Sequence, residues 1–151
     1  MEEPLSPEQA ALGYALIRSS DEIESISDYC ARLAIIFKKT QSKEESKLSE
    51  MALSDLKTLL TDIIQYYEVI RGFYTKRDLD MVEEYQMKAR QLQIHTDRVR
   101  KRQMDRIRIG ECPPLSGLAF SDMVVAVRRI SNHTVNIMEA VASSIPNIKG
   151  A

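Results

Sequence analysis

The sequence predicts an all-α protein, an antiparallel bundle of four long helices joined by short turns. Three observations point there. Glycine and proline contribute only 5 residues each to a chain of 151, so there are few sites for tight turns. There is no tryptophan, and 3 phenylalanines and 6 tyrosines are sparse for a sheet-rich fold. Apolar residues recur at alternating spacings of three and four in four separate blocks, the mark of helices meeting side by side.

The first block carries Leu16, Ile23, Ile26, Cys30, Leu33 and Phe37. Its start is marked by Ser6, Pro7 and Gln9: a hydroxyl cap, proline at the first helical position, and a side chain that reaches back to the cap. The second block carries Ala52, Leu56, Leu59, Ile63, Tyr66, Ile70 and Phe73, with Ser42 and Glu45 spaced as a capping box before it. A second line beside it, Leu53, Leu60, Tyr67 and Tyr74, widens its apolar arc. This helix is therefore expected to be the most buried. The third begins near Thr75–Asp78 and carries Val82, Tyr85, Ala89, Leu92 and Val99 as far as Ile109, where Gly110 stops it. Cys112-Pro113-Pro114 forces a break, because the residue before a proline avoids helical geometry. The fourth carries Phe120, Met123, Val127, Ile130, Thr134, Ile137 and Val141 and must end before Pro146. Helices of this size are about 45 Å long, and short connections make sequential neighbours antiparallel.

The charges nearly cancel, with 21 Lys and Arg against 22 Asp and Glu, but they are unevenly placed. The first thirty positions are acidic: Glu2, Glu3, Glu8, Asp21, Glu22, Glu24 and Asp28 face the lone base Arg18. Arg98, Arg100, Lys101, Arg102, Arg106 and Arg108 make the end of the third helix basic. Arg98, Arg100, Lys101 and Arg102 are candidates to touch a partner or the anionic inner leaflet of a membrane. The plainer reading is a charged surface that also suits the helix dipole. No aromatics interleave with these bases, so nucleic acid is not an expected partner. No apolar run reaches the ~18–20 residues of a membrane span, and no basic-then-apolar leader opens the chain. Two cysteines are too few for a disulfide scaffold; Cys30 on the stripe is expected to be a buried thiol.

No catalytic signature is present. A di-iron bundle needs Glu three residues before His, whereas Leu92 precedes His95 and Ile130 precedes His133. There is no phosphate loop and no His-Glu-x-x-His or Cys-x-x-Cys. The chain is thus expected not to be an enzyme. His95, within a charged helix, is expected to be exposed. When the first and last stripes are superposed, Glu24 and Asp28 fall on Arg128 and Asn132, each pair one turn apart on a face away from the stripe. Two such carboxylates suit a hard cation or iron; spacing alone favours the plainer reading of a solvated acidic face.

The segment Arg128-Arg-Ile-Ser-Asn-His-Thr-Val-Asn-Ile137 resembles the Glu-Arg-Ile-Gly-Asp-His-x-x-Asn-Ile signature of PhoU-type domains, and residues 21–29 resemble its counterpart in the other repeat. Asp105–Pro114, followed by Gly117, Phe120 and Asp122, narrows the likeness to the C-terminal PhoU-like domain of bacterial sodium-dependent phosphate cotransporters. Asp80 and Glu83, with Leu79 and Val82, also suit the family pattern. The resemblance implies the last helix of an incomplete first repeat at 1–40, a complete three-helix second repeat at 41–145 and a tail at 146–151. It implies a non-enzymatic regulatory domain on the cytoplasmic side of the inner membrane, part of an integral phosphate transporter. Such a domain would act by docking to the transporter's membrane domain or to itself. It also implies iron or zinc at Glu24 and Asp28, with the second site lost because Arg128 and Asn132, beside His133, replace its carboxylates. The alternative it allows is a freestanding metal-binding regulator of phosphate uptake. An incomplete first repeat leaves apolar surface on the first helix, so a homo-oligomer is expected.

Overall fold

The computed structural model describes residues 4–145 and is built of four helices, with no strand among the described residues. Helix α1 spans Pro7–Gln41, α2 Glu50–Lys76, α3 Val82–Arg108 and α4 Pro114–Ser143. Single 3₁₀ turns lie at Glu44–Ser46 and Leu79–Met81. None of the described helices is long and apolar enough to cross a membrane. The tail expected at 146–151 lies outside the described residues.

Local chemistry sets most of the boundaries. The Ser6 hydroxyl accepts from the Gln9 amide at 3.2 Å, and the Ser6 amide donates to Gln9 Oε1 at 2.8 Å, closing the capping box. The second box, expected at Ser42 and Glu45, does not form. Ser42 instead terminates α1, its hydroxyl bonding Lys39 O, and α2 is capped by Ser49, which accepts from the Ala52 amide at 3.2 Å. Gly110 has φ 78°; its amide bonds Ile107 O, and the Glu111 amide bonds Arg106 O, the paired closure that a left-handed residue permits after a helix. Arg77 makes the equivalent left-handed exit from α2, with φ 53° and its amide bonded to Phe73 O.

The helices run up-down-up-down, and α4 is the hub, packing on α1, α2 and α3, while α2 and α3 also meet. One core cluster joins Ile63, Ile70, Phe73, Tyr85, Leu92 and Ile137; the other joins Leu56, Leu59, Val99, Phe120, Met123 and Val127. The expected stripes of α2 and α4 are buried throughout. The most buried helix is nevertheless α4, not α2. A central helix must shed polar surface on three sides, whereas α2's second line, Leu53, Leu60, Tyr67 and Tyr74, stays half-buried. The cause is α1, which lies against α4 and leaves that side of α2 open.

The stripe expected on α1 is also displaced. Leu16 and Ile23 are 48% exposed and Phe37 39%, and Cys30 is exposed where a buried thiol was expected. The line that meets α4 runs through Ala15, Ser19, Glu22, Ile26, Tyr29, Leu33, Ile36 and Thr40, again alternating fours and threes. Only Ile26 and Leu33 belong to both lines. Ala15 and Ser19 are small enough for close helix approach, so the N-terminal part of the seam runs through small side chains and leaves Leu16 and Ile23 outside.

Ion pairs fix the register of α2 against α3. Asp55 accepts from Arg102 at 2.6 Å and from Arg106 at 2.9 Å, and two turns later Asp62 meets His95 Nδ1 at 2.5 Å. His95 is therefore half-buried and partnered, not exposed as its charged surroundings implied.

Candidate functional site

The C-terminal half of α4 faces three different surroundings, and His133 stands where they meet. Glu22 reaches across from α1, its Oε2 2.6 Å from His133 Nδ1 and both carboxylate oxygens 3.1 Å from Asn136 Nδ2. Tyr29, two turns along α1, stacks on the imidazole at 5.6 Å between centroids and 27° between planes. The Glu22 side chain is 15% exposed. A carboxylate so enclosed is tolerable because both oxygens receive hydrogen bonds. The cluster locks the register of α1 on α4.

On one side of this seam, α1 and α2 diverge over an apolar trough of about 560 Å³. Its walls are Cys30, Leu33 and Phe37 of α1 and Leu60, Ile64 and Tyr67 of α2, with Ile130 of α4 at its base. Ile64 is 62% exposed. Partial desolvation against the trough walls pushes the Cys30 thiol above its usual pKa, although the residue is exposed overall.

On the other side, α3 and α4 enclose a polar groove of about 580 Å³. Gln86, Arg90 and Gln93 lie along one face of α3; Arg129, Asn132 and Asn136 face them from α4, with Arg128 and His133 alongside. Ala89 and Ser131, small residues on either helix, leave the space between. Arg128 pairs loosely with Asp97 at 3.6 Å.

These arrangements sort the residues singled out from sequence. Glu24 and Asp28 are both exposed, and only Asp28 borders the shallow recess shared with Tyr29, Arg32 and His133. Among the described residues no group of three His, Cys, Asp or Glu side chains could hold a metal ion. Arg128, Asn132 and His133 are brought together, in the polar groove. Of the basic run, Arg98, Arg100 and Lys101 are exposed, but Arg102 is committed in part to Asp55 and does not belong with them as a free contact.

Glu22 was the partner of His133 and Asn136 hidden in the sequence, overshadowed by Glu24 and Asp28. The signal that reveals it is its place on the Ala15–Thr40 line, where an acid amid seam residues requires a partner. Comparison with protein-family models, with curated proteins and with solved structures finds no match for this chain.

Proposed function

We propose that the chain is a non-enzymatic interaction domain that works through the trough between α1 and α2, and that it serves on the cytoplasmic side of a sodium-dependent phosphate transporter. The observation that carries the interaction half is the trough itself. It presents Phe37 of α1 beside Ile64 and Tyr67 of α2, where α1 packs chiefly on α4 and leaves that side of α2 uncovered. Apolar surface of that extent is stabilised by a covering helix, in proportion to the area removed from water. In the isolated chain the covering helix is supplied by a second copy; in the transporter it is supplied by the membrane domain. The transport half is supported by the likeness of residues 21–29 and 128–137 to PhoU-type signatures and has no other support.

Light scattering tests the first half. The chain is expected to self-associate at high micromolar concentration and to become monomeric on Ile64→Glu, a change at an exposed position that leaves both core clusters intact. A wild-type monomer under those conditions removes the trough as a contact surface. Phosphate uptake by cells carrying Ile64→Glu in the full-length gene tests the second half. Unchanged uptake alongside loss of association would leave an interaction domain with no role in transport.

A further inference from the structure

We infer that the polar groove between α3 and α4 binds a phosphoryl group. Three arginines line it, Arg90, Arg128 and Arg129, and no carboxylate does. Among the described residues Arg90 and Arg129 have no ion-pair or hydrogen-bond partner. The nearby acids are occupied or peripheral: Asp97 holds Arg128 at 3.6 Å at the edge, and Glu22 engages His133 and Asn136 from the α1 side.

The positive charge is accompanied by side-chain amides, with the apolar Ala89 and Val135 among them. Gln86, Arg90 and Gln93 recur at spacings of four and three on α3, and Arg129, Asn132 and Asn136 at three and four on α4. The Asp97–Arg128 pair sets the antiparallel register, which brings Gln93 level with Asn132 and Arg90 level with Asn136. Planar guanidinium forks flanked by the amide N–H donors of Gln86, Gln93 and Asn132 suit an anion with several oxygens. A carboxylate offers too few acceptors to use both walls, whereas a tetrahedral phosphoryl group has acceptors in every direction. Glu22 and Tyr29 fix the His133 ring from behind, so its remaining nitrogen is held in a set orientation at the groove's border.

The same chemistry is carried by free phosphate compounds and by lipid headgroups, and the test separates them. Inorganic phosphate and inorganic pyrophosphate are titrated into the full chain and followed by amide NMR, with potassium chloride at matched ionic strength as the reference. Phosphatidylcholine vesicles with and without phosphatidic acid form the second arm. The expected result is saturable change confined to residues 86–97 and 128–136. Replacing both Arg90 and Arg129 by Gln should weaken it about tenfold or more, as expected for losing charge-assisted contacts. Replacing Arg98 and Lys101 by Gln removes the same charge outside the groove and should leave affinity within about twofold. Binding of soluble anions identifies a free ligand, and binding of phosphatidic acid vesicles alone, with the same dependence on Arg90 and Arg129, identifies a headgroup. Absence of saturation in both arms would overturn the inference, as would equal weakening by the two double variants or equal response to chloride.

Discussion

Replacing Glu22 by Gln keeps the shape of the α1–α4 lock and removes its charge. The carboxylate receives His133 Nδ1 at 2.6 Å and Asn136 Nδ2 at 3.1 Å to each oxygen, which is two partner groups. A hydrogen bond to a charged group contributes about 1.5–3 kcal/mol and one between neutral groups about 0.5–1.5 kcal/mol. The difference is about 1 kcal/mol for each partner, hence about 2 kcal/mol for Glu22→Gln. The new amide NH₂ also has to avoid two other donors, which pushes the cost upward. Because α1 packs chiefly on α4, the loss should appear as local release of α1 rather than global unfolding. Hydrogen exchange is the discriminating assay. Amides of α1 that open locally should exchange about thirtyfold faster, the equivalent of about 2 kcal/mol, while those of α2 and α3 change little. Glu24→Gln, at an exposed neighbour without a partner among the described residues, is the control and should stay within about 0.5 kcal/mol of wild type. If the two variants show the same α1 exchange, the Glu22 cluster does not hold the helix and the reasoning fails.

The glycines of α2 and α4 are expected to respond in opposite ways. Gly72→Ala should stabilise α2 by about 0.5–1 kcal/mol, since a new methyl meets nothing within 4 Å. Gly117→Ala should destabilise by about 1–2 kcal/mol, because its Cβ would stand 2.1 Å from Ile107 Cδ1 and 2.6 Å from Cγ1, and repacking outweighs the helix propensity gained. Urea midpoints of the pair should move in opposite directions, and a shared direction would show that Ile107 swings aside freely. Tyr66 is buried, its hydroxyl has no hydrogen-bond partner among the described residues, and desolvation, with Glu139's charge second, pushes its pKa up to about 12. Its folded pKa exceeds the unfolded value near 10, so the folded state binds more protons and stability falls as pH rises from about 10 to 12, by roughly 2–3 kcal/mol. Tyr66→Phe should lessen that decline without loss at neutral pH, leaving the smaller part due to Tyr85, whose pKa burial also raises; an unchanged alkaline limb in pH-dependent denaturation would assign it to other groups.

Residues whose environment lies within their own turn of chain were legible from sequence. Ser6 with Gln9 and Gly110 act on backbone groups three to five residues away, so their roles need no tertiary information. The stripes of α2 and α4 were legible because one apolar line on each dominates, and any packing must bury it. The Ser42–Glu45 box failed because Ser49 offered an equally local cap that fits the turn entering α2. The candidate site was legible only in part. Arg128, Asn132 and His133 could be named in advance, but their meeting with Gln86, Arg90 and Gln93 depends on how α3 registers against α4.

Helix α1 marks the limit most clearly. Its sequence contains two lines at helical spacing, an apolar one through Leu16, Ile23, Cys30 and Phe37 and a smaller, more polar one through Ala15, Ser19, Glu22 and Tyr29. Composition favours the first; the fold uses the second and shares only Ile26 and Leu33 between them. The choice rests on what α4 presents: His133 and Asn136 to receive a carboxylate, and a surface on which small residues can approach. Helix type and number, and ends such as Ser6 and Gly110, follow from hydrogen bonds and sterics between near neighbours, and the sequence by itself determines them here. Which face of α1 is inside is a property of a partner more than a hundred residues away, and only the tertiary structure decides it. That decision opens the trough on one side of α4 and fixes His133 at the border of the groove on the other.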